Sequence, residues 1–279
     1  MPAVERASAV TFLAGDRLSR RVSEPEIVPR SPEESASWIE RMLYLQSADP
    51  DGCWVAVDGD EVVGFAISQN RGGMWYLATY GVLPGRQGCG TGKQLMDAVL
   101  GHAAGRPGMF CSTVHPGATR RYGLAGFRLL PQMRLVGRVD RGALPEVAGL
   151  REGCLGDVAW MDQLDERLRG AGHGSDHEYM LRTLRLVVTR ERKRPGYVYL
   201  DNEGNVSLLA AESESIAESL LWEALASSHG GTLVKCITSN NHWALDVGLA
   251  ARLSIGQEGY LAVRGGPEPA PYLPSGHFL

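Results

Sequence analysis

A glycine-rich segment near residue 90 could perform the most specific chemistry in this sequence. Residues 82–93 read Val-Leu-Pro-Gly-Arg-Gln-Gly-Cys-Gly-Thr-Gly-Lys, after an apolar run at 74–83 and before an amphipathic segment. Alternate glycines, Gly88, Gly90 and Gly92, let the main chain turn tightly and expose its N–H groups. At the start of a helix, such groups favour a phosphate because the helix dipole adds partial positive charge. The segment therefore predicts a site for a phosphorylated ligand.

Two nucleotide-binding loops also place glycines before a helix, and both fail here on spacing. A P-loop needs a glycine five residues before its Gly-Lys pair and Ser or Thr after it, but Gln87 and Gln94 occupy these positions. A Rossmann turn needs a glycine where Lys93 or Leu95 stands. A glycine-rich turn without a ligand is the structural alternative that is left.

The glycine segment, with Pro84 before Gln87-x-x-Gly90-x-Gly92, resembles the acyl-CoA pyrophosphate loop of the GNAT N-acetyltransferase superfamily. A second motif strengthens the resemblance. The family follows its loop helix with a strand, here residues 108–114, and a helix that reads Asn-x-x-Ala-x-x-x-Tyr-x-x-x-Gly-Phe. The matching positions are Ala118, Tyr122, Gly126 and Phe127, and His115 stands in place of the asparagine. Together the two motifs are specific because their order and separation also match.

The resemblance assigns roles to particular residues. Tyr122 matches the family's general acid, which protonates the departing thiolate of the coenzyme. Main-chain groups of the strand before the loop would meet the thioester and the pantetheine arm. The implied acetyl-CoA contacts are Tyr80, Gly81, Val82, Gln87, Gly88, Cys89, Gly90, Thr91, Gly92, Lys93 and His115.

The sequence does not identify a general base for the acceptor amine. Many relatives place a glutamate on the strand before the loop, but Trp75, Tyr76, Thr79 and Tyr80 offer no carboxylate. His115, a residue of the second half, a water molecule and the carboxylate of Leu279 are the open alternatives. We expect the proline-rich tail, residues 267–279, to lie on the surface instead of entering the site.

Periodicity and turn signals predict the elements that must position this site. Ser31, Pro32 and Glu34 predict a helix start. Strands at 54–57 and 62–68 flank a hairpin turn at 58–61, and a third strand, 74–83, enters the glycine loop. A closing hairpin is predicted from segments 127–130 and 134–139, turning around Pro131.

The pattern restarts after a linker at 140–149. A helix near 158–168, a strand at 185–189, a strand–turn–strand from residue 197 and a helix at 216–226 repeat the first half. The interval from Asp201 to Ala244 is 17 positions shorter than that from Asp58 to Ala118. This predicts that the second half has lost its third strand and its phosphate loop, and Tyr122 corresponds to Gly248. We expect an α/β fold of two tandem GNAT-like lobes, each with a mostly antiparallel central sheet flanked by helices. Residues 1–140 would hold the acetyl-CoA site, and residues 150–279 would be degenerate.

Composition excludes several classes of protein. The 279 residues are 44% hydrophobic and 22% charged, which supports a full core, and the net charge of -4 disfavours a nucleic-acid partner. No apolar stretch has the length of a membrane span. Five cysteines without a CxxC pattern predict free thiols and a cytoplasmic chain. We expect the protein to be a monomer or a homodimer. His173 and His177 have a spacing that could suit a metal, but the glycines around them and the lack of a third ligand favour no metal.

The function predicted is an acetyl-CoA-dependent N-acetyltransferase, in which an amine of a small molecule or peptide attacks the thioester directly. The sequence does not identify the amine, and O-acyl transfer is compatible with the same spacing. A non-catalytic acyl-CoA-binding sensor or interaction module is the alternative, because no base is visible and His115 replaces the usual asparagine.

Overall fold

The computed structural model describes residues 1–20 and 26–278, which form two β-sheets with helices on their faces. The helices are α1 (Pro2–Ser19), α2 (Pro32–Ala48), α3 (Thr91–Ala103), α4 (Pro116–Leu124), α5 (Val158–Arg169), α6 (Asp176–Thr183), α7 (Glu214–Ser227) and α8 (Trp243–Ala250). The strands are β1 (Cys53–Asp58), β2 (Glu61–Arg71), β3 (Met74–Val82), β4 (Gly108–Ser112), β5 (Arg128–Gly137), β6 (Leu150–Glu152), β7 (Arg185–Thr189), β8 (Gly196–Leu200), β9 (Val206–Ala211), β10 (Thr232–Ile237), β11 (Ser254–Arg264) and β12 (Tyr272–Leu273). The predicted α/β fold class, with mostly antiparallel sheets flanked by helices, is confirmed.

The local signals at the start of α2 are confirmed. The Ser31 hydroxyl accepts a hydrogen bond from the Glu34 N–H at 3.2 Å, and the Glu34 carboxylate accepts one from the Ser31 N–H at 2.6 Å. This capping box satisfies N–H groups that the first helical turn leaves free. Further along α2, Trp38, Met42 and Leu45 are buried in the core. Their stripe fixes which side of α2 faces the sheet.

The larger sheet has the strand order β1-β2-β3-β4-β11-β5-β10. All neighbours are antiparallel except β3 and β4, which are parallel. A parallel pair needs a crossover connection, and α3 supplies it. The glycine loop, residues 84–90, joins β3 to α3 and so lies at the carboxyl end of β3.

Two strands from the second half complete this sheet. β11 lies between β4 and β5, and β10 forms the edge beside β5. The two halves of the chain therefore share one sheet. The division into two lobes, residues 1–140 and 150–279, stays a prediction. The strands β4 and β5 of the first half pair with β11 and not with each other, so the larger sheet is continuous only with a strand from the second half.

The predicted closing hairpin around Pro131 is wrong. Residues 128–137 form one continuous strand, β5. Pro131 lies opposite Tyr260, where the pairing with β11 is interrupted by a shift between Gln257 and Tyr260, and β10 pairs with β5 only from Met133 onward. Because the ladders are irregular or absent at this point, a residue without an N–H fits within the strand.

The smaller sheet has the order β12-β9-β8-β7-β6. Its strands β7, β8 and β9 form an antiparallel meander that leads into α7, as β1, β2 and β3 lead into α3. The expectation that the second half lacks a third strand is therefore wrong. Its strands are shorter instead: β8 and β9 have five and six residues, whereas β2 and β3 have 11 and nine. The connection from β9 to α7 is also too short for a phosphate loop.

A buried carboxylate joins the two halves. Asp176, in the first turn of α6, receives two hydrogen bonds from the guanidinium of Arg71, a residue of β2 in the first half of the chain, at 2.7 and 2.9 Å. The phenols of Tyr44 and Tyr76 donate to the same carboxylate at 2.8 and 2.9 Å. The Asp176 side chain is fully buried. Four donors from α2, β2 and β3 thus hold α6 against the first half.

Asp176→Asn should destabilise the protein by about 3–5 kcal/mol, because the Arg71 charge would stay buried without its partner. The free energy of unfolding from urea titration measures this loss. Asp97→Asn is the matched control, since Asp97 pairs with Lys93 in an exposed i,i+4 ion pair and should change stability by less than about 0.5 kcal/mol. Similar losses in the two variants would contradict a structural role for the buried pair.

Candidate functional site

Of the three alternate glycines in the loop segment, Gly88 and Gly90 have positive φ, whereas Gly92 lies in the first turn of α3. Gly85, Gly88 and Gly90 have φ values of 81°, 85° and 90°. Nothing lies within 4 Å of where a Cβ atom would stand on them, so these positions need glycine for the backbone angle and not for space. Gly90 is the N-cap of α3 and has no side-chain cap. The N–H groups of the first helical turn therefore point out of α3 without helical partners.

Polar contacts hold the loop in place. The Arg86 guanidinium donates to Asp58 at 2.7 Å and to Glu61 at 3.1 Å, which ties the loop to the β1–β2 hairpin. The Gln87 side chain donates to the Val82 carbonyl oxygen at 3.1 Å. Lys93 forms an exposed ion pair with Asp97 at 2.5 Å. The side chain of Gln87 thus shapes the loop from within.

The strand before the loop separates from its parallel neighbour. β3 and β4 pair only at Trp75 with Gly108 and Tyr76 with Met109, and beyond these pairs a gap opens between them. In this gap β3 has unpaired main-chain groups. Leu83 donates its N–H to Val63 of β2 at 2.9 Å. Because groups alternate along a strand, the N–H groups of Tyr80 and Val82 face the gap, whereas that of Gly81 faces β2.

Two tyrosines stand on the α3 side of the gap. The Tyr80 hydroxyl donates to the Gly92 carbonyl oxygen at 2.8 Å, and a Cβ atom on Gly92 would lie 2.6 Å from that hydroxyl. Burial raises the pKa of Tyr80 to about 12, although Arg121 opposes the rise. The phenol therefore stays protonated and anchors the start of α3 to β3.

Tyr122 of α4 lies beside Tyr80 and Phe110. Its ring centroid is 6.0 Å from that of Tyr80 and 4.6 Å from that of Phe110. The side chain is buried but lines the cleft, and its hydroxyl makes no hydrogen bond to any residue that the structure describes. Burial raises the pKa of Tyr122 further than that of Tyr80, with the Tyr80 phenol contributing. A protonated hydroxyl with no internal partner is available to donate to a bound molecule.

A cleft of about 1850 Å³ connects the two sides of the gap. On the α3 side it is lined by the glycine loop, Tyr80 and Tyr122. On the other side it reaches Thr11 of α1, and a Cβ atom on Gly81 would lie 2.9 Å from the Thr11 side chain. The cleft therefore passes through the sheet where β3 and β4 diverge, and molecules on opposite faces could meet there.

The second half supplies charged groups to the far side of this cleft. Lys235 comes from β10, and Glu258 comes from β11 at the interruption of its pairing. Both line the cleft, and Glu258 Oε2 is buried without a hydrogen bond. Burial raises the pKa of the Glu258 carboxyl group, with Asp16 adding to the rise and Lys235 and Arg134 opposing it. Sequence analysis missed these residues, because nothing in the local pattern shows that β11 enters the first sheet.

The expectation that the C-terminal tail lies on the surface is wrong. Tyr272 and Leu273 pair with β9, and Phe278 packs against Tyr44 and Tyr179 with ring centroids 6.3 and 5.3 Å apart. Residues 274–277 line the cleft. Leu279, whose carboxylate was one candidate base, lies outside the described residues. The apolar and aromatic residues of the tail account for its burial.

His277 brings an imidazole into the cleft from this tail. Its side chain is open to the cavity and lies against the main chain of Ala78 on β3. Burial lowers the pKa of His277 well below its ordinary value, and the charges of Arg41, Lys235 and Arg30 lower it further. The ring is therefore neutral at neutral pH.

His115, the residue in place of the usual asparagine, is the N-cap of α4. Its Nδ1 accepts a hydrogen bond from the Ala118 N–H at 3.4 Å, and the residue lines the cleft. The imidazole thus performs the capping task that an asparagine side chain also performs. This contact explains why the substitution leaves the start of α4 intact.

The corresponding gap in the second half is filled. β12 pairs with β9 and also contacts β10, so it lies where the second half would open between its own third and fourth strands. At the position that corresponds to Tyr122, a Cβ atom on Gly248 would lie 2.3 Å from the Leu135 side chain. The second half therefore has neither an open gap nor space for a tyrosine there.

His173 and His177 lie in a buried cluster with Asp165 of α5, the third residue that the sequence spacing did not reveal. Their potential ligand atoms lie within 4.8 Å of one another. Asp165 is 2.8 Å from His173 Nδ1, and Tyr197 donates to the same carboxylate at 2.7 Å. The Tyr199 hydroxyl lies 3.1 Å from His177 Nδ1, and the Tyr272 hydroxyl lies 3.3 Å from His173 Nε2. The cluster connects α5, α6 and the smaller sheet, and the absence of a metal stays a prediction.

Other expectations concern the chain as a whole. All five cysteines are free. Among the described helices, none combines the length and the apolar character that a membrane crossing would need.

Comparisons with known proteins agree with this geometry. The profile of the acetyltransferase (GNAT) family matches residues 17–127, the part that contains the glycine loop and Tyr122. No curated protein matches the chain.

Solved structures match over nearly the full length. A Pyrococcus horikoshii protein, provisionally named an acetyltransferase, has 19% identity and a TM-score of 0.72, with coverage of 99% of this chain and 92% of that one. A tandem GNAT protein from the clavulanic acid biosynthesis pathway has 12% identity and a TM-score of 0.56, with coverage of 96% and 95%. A GCN5-related N-acetyltransferase from Sphaerobacter thermophilus has 14% identity and a TM-score of 0.56, with coverage of 95% and 93%. The model of the GNAT acetyltransferase family therefore matches residues 17–127, and the chain as a whole has the fold of tandem GNAT proteins.

Proposed function

We propose that this protein is an acetyl-CoA-dependent N-acetyltransferase with one active site, in which an amine attacks the acetyl thioester directly. The observation that carries this proposal is the cleft through the sheet. It joins the phosphate-binding features of the glycine loop to a second, charged compartment on the opposite face. A protein that only held acyl-CoA would not need this second compartment.

The coenzyme would enter from the α3 side. The main-chain N–H groups of residues 88–93 would bind the pyrophosphate, aided by the positive end of the α3 dipole. The pantetheine arm would lie in the gap, where Tyr80 and Val82 present main-chain groups. Gly81 would contribute in a different way, because its lack of a side chain keeps Phe65 and Thr11 close to β3.

The transfer forms a C–N bond and breaks a C–S bond. A main-chain N–H of β3 in the gap would stabilise the oxyanion that develops on the thioester carbonyl. Tyr122 would donate a proton to the sulfur as the C–S bond breaks. A free thiol, with a pKa of about 8.5, is a stronger acid than this phenol, so cleavage of the C–S bond must drive the transfer, and the phenolate then regains a proton from solvent. Its raised pKa keeps Tyr122 protonated before this step.

The attacking nitrogen must lose a proton on the opposite side, and we assign Glu258 as the acceptor. Its unpaired oxygen lies in the charged compartment, and its raised pKa makes it a stronger base than an ordinary glutamate. His277 is the weaker candidate, because Arg41, Lys235 and Arg30 oppose a positive charge on its ring. His115 is engaged as a helix cap.

Gly90→Ala should weaken acetyl-CoA binding about tenfold or more. At φ 90° an alanine costs about 1–2 kcal/mol, and the loop can relieve this strain only by moving its N–H groups. Isothermal titration calorimetry with acetyl-CoA measures the change. Gly101→Ala is the control, because Gly101 lies in α3 with nothing near its Cβ position. Equal affinities in both variants would argue against the loop as the pyrophosphate site.

Tyr122→Phe should lower kcat for acetyl transfer to amines about 100-fold, the usual contribution of a general acid, while the affinity for acetyl-CoA stays unchanged. Release of free thiol over a panel of amines measures turnover, and calorimetry measures binding. Unchanged kcat would remove Tyr122 from the mechanism. Tight acetyl-CoA binding by the wild type without turnover of any amine would favour the alternative, a non-catalytic acyl-CoA sensor.

Glu258→Gln should lower kcat and alter its pH dependence. Because burial raises the pKa of Glu258, its carboxyl group is protonated and inactive at low pH, and the rate should rise as pH increases through a midpoint above 4.5. The glutamine variant should lose this acidic limb. His277→Asn is the control and should retain it. An acidic limb that survives in Glu258→Gln would exclude Glu258 as the base.

A further inference from the structure

Unpaired polar atoms are concentrated in the cleft. Buried polar groups in proteins nearly always have hydrogen-bond partners, so exceptions that share one cavity point to a bound molecule. Buried atoms of cleft-lining residues that have no hydrogen-bond partner within the described part of the chain include Thr11 Oγ1, Arg41 Nε, Thr79 Oγ1, Gln132 Oε1 and Glu258 Oε2. They include both a cation and an anion.

Arg41 is the unusual member of this group. It lies on α2 beside the buried Trp38 and Met42, and its guanidinium makes no hydrogen bond or ion pair with any residue that the structure describes. Burial lowers the pKa of Arg41 to about 10, Tyr179 opposes this shift, and the nearby Arg30 adds to it. The Arg41 side chain is half-buried and its Nε is fully buried, so its charge is costly without a counter-ion unless a ligand compensates it.

Other buried or half-buried arginines show what such a group normally has. Arg71 pairs with Asp176 at 2.7 Å, and Arg169 donates to the carbonyl oxygens of Ala171 and Gly172 at 2.8 and 3.1 Å. Arg30, near Arg41, pairs with Glu5 at 2.9 Å. Among residues 1–20 and 26–278, Arg41 has neither a carboxylate nor a carbonyl partner, and it faces the cleft.

Charges of opposite sign occupy this compartment. Arg41, Arg30 and Lys235 surround His277 and make that part of the cleft positive. Asp16 and Glu258 lie near each other and near Lys235, and provide the negative charges. A molecule with separated positive and negative ends would satisfy both groups.

We propose that the acceptor is a small amine that also carries an oxyanion, most simply a carboxylate, and that Arg41 binds this anionic group while the amine lies toward Glu258. The assignment rests on the proposed acetyl transfer and specifies its substrate class. A planar guanidinium can bind a carboxylate or a phosphate through two hydrogen bonds, and these bonds are stronger than those between neutral groups. A purely cationic amine would meet Arg41 as a like charge.

The test compares acids with their primary amides. Three acids would each be titrated, in parallel with the corresponding amide, into the protein loaded with coenzyme A: β-alanine, 4-aminobutyrate and 4-(aminomethyl)benzoate. Titration of phosphoethanolamine in parallel with ethanolamine would test a phosphate as the oxyanion. At least one acid should bind about 10- to 100-fold more tightly than its neutral counterpart, as expected for a charge-assisted hydrogen-bonded pair. Arg41→Met should bring that ratio close to one, and Arg41→Lys should restore part of it.

Controls separate this inference from the proposed function. Arg6→Met, at an exposed position of α1, should leave the ratio unchanged. All variants should retain acetyl-CoA affinity, and none should have a lower unfolding temperature than the wild type. Equal binding of every acid and its neutral counterpart, binding of none, or a ratio unaffected in Arg41→Met would overturn the inference. Acetyl transfer is scored separately with the same compounds: efficient transfer to the neutral amines alone would refute the substrate class and leave the transferase proposal intact.

Discussion

The site depends on one constraint, the short parallel contact between β3 and β4. These strands pair at two positions and then diverge, so the sheet has an opening in its middle. Main-chain groups in such an opening cannot be satisfied within the sheet and must bind something else. The base of the opening is held by Tyr76 of β3, which donates to the buried Asp176 together with Arg71 and Tyr44. The same carboxylate that joins the two halves therefore fixes the point where the strands separate.

The exchange of strands explains why there is one cleft and why both halves line it. β11 enters the first sheet between β4 and β5 and carries Glu258 to the cleft, while β10 brings Lys235. In the second half the equivalent opening is filled by β12. After β12 the chain continues as the tail, which carries His277 into the cleft between β3 and β4. Strands and tail of the second half thus form one wall of the cleft in the larger sheet.

The proposed chemistry follows from the different environments on the two faces of the sheet. Tyr80 and Tyr122 lie in an apolar, aromatic compartment on the α3 side, where burial keeps both phenols protonated. On the opposite face, Arg41, Lys235, Asp16 and Glu258 form a charged compartment with unpaired polar atoms. This arrangement suits a reaction in which a thioester and a charged acceptor approach from opposite sides. In that reaction the amine loses its proton in the charged compartment, and the departing thiolate gains a proton on the α3 side.

The sequence by itself determined the features that depend on near neighbours in the chain. The capping box of α2 and the strand–loop–helix around Gly88 and Gly90 follow from local conformational preferences and were predicted correctly. The positive φ of these two glycines fits the tight turn that was expected there. Pro131 misled the prediction, because a proline is read as a turn unless the neighbouring ladders are known to be interrupted. Only the tertiary structure decided which strand lies beside β4, how the tail is buried, and that Arg41, His277 and Glu258 share one cleft. The physical reason is that these contacts join elements that are distant in the chain, such as β4 with β11 or Arg41 of α2 with Glu258, and pairing between distant strands leaves no periodic signal in either of them.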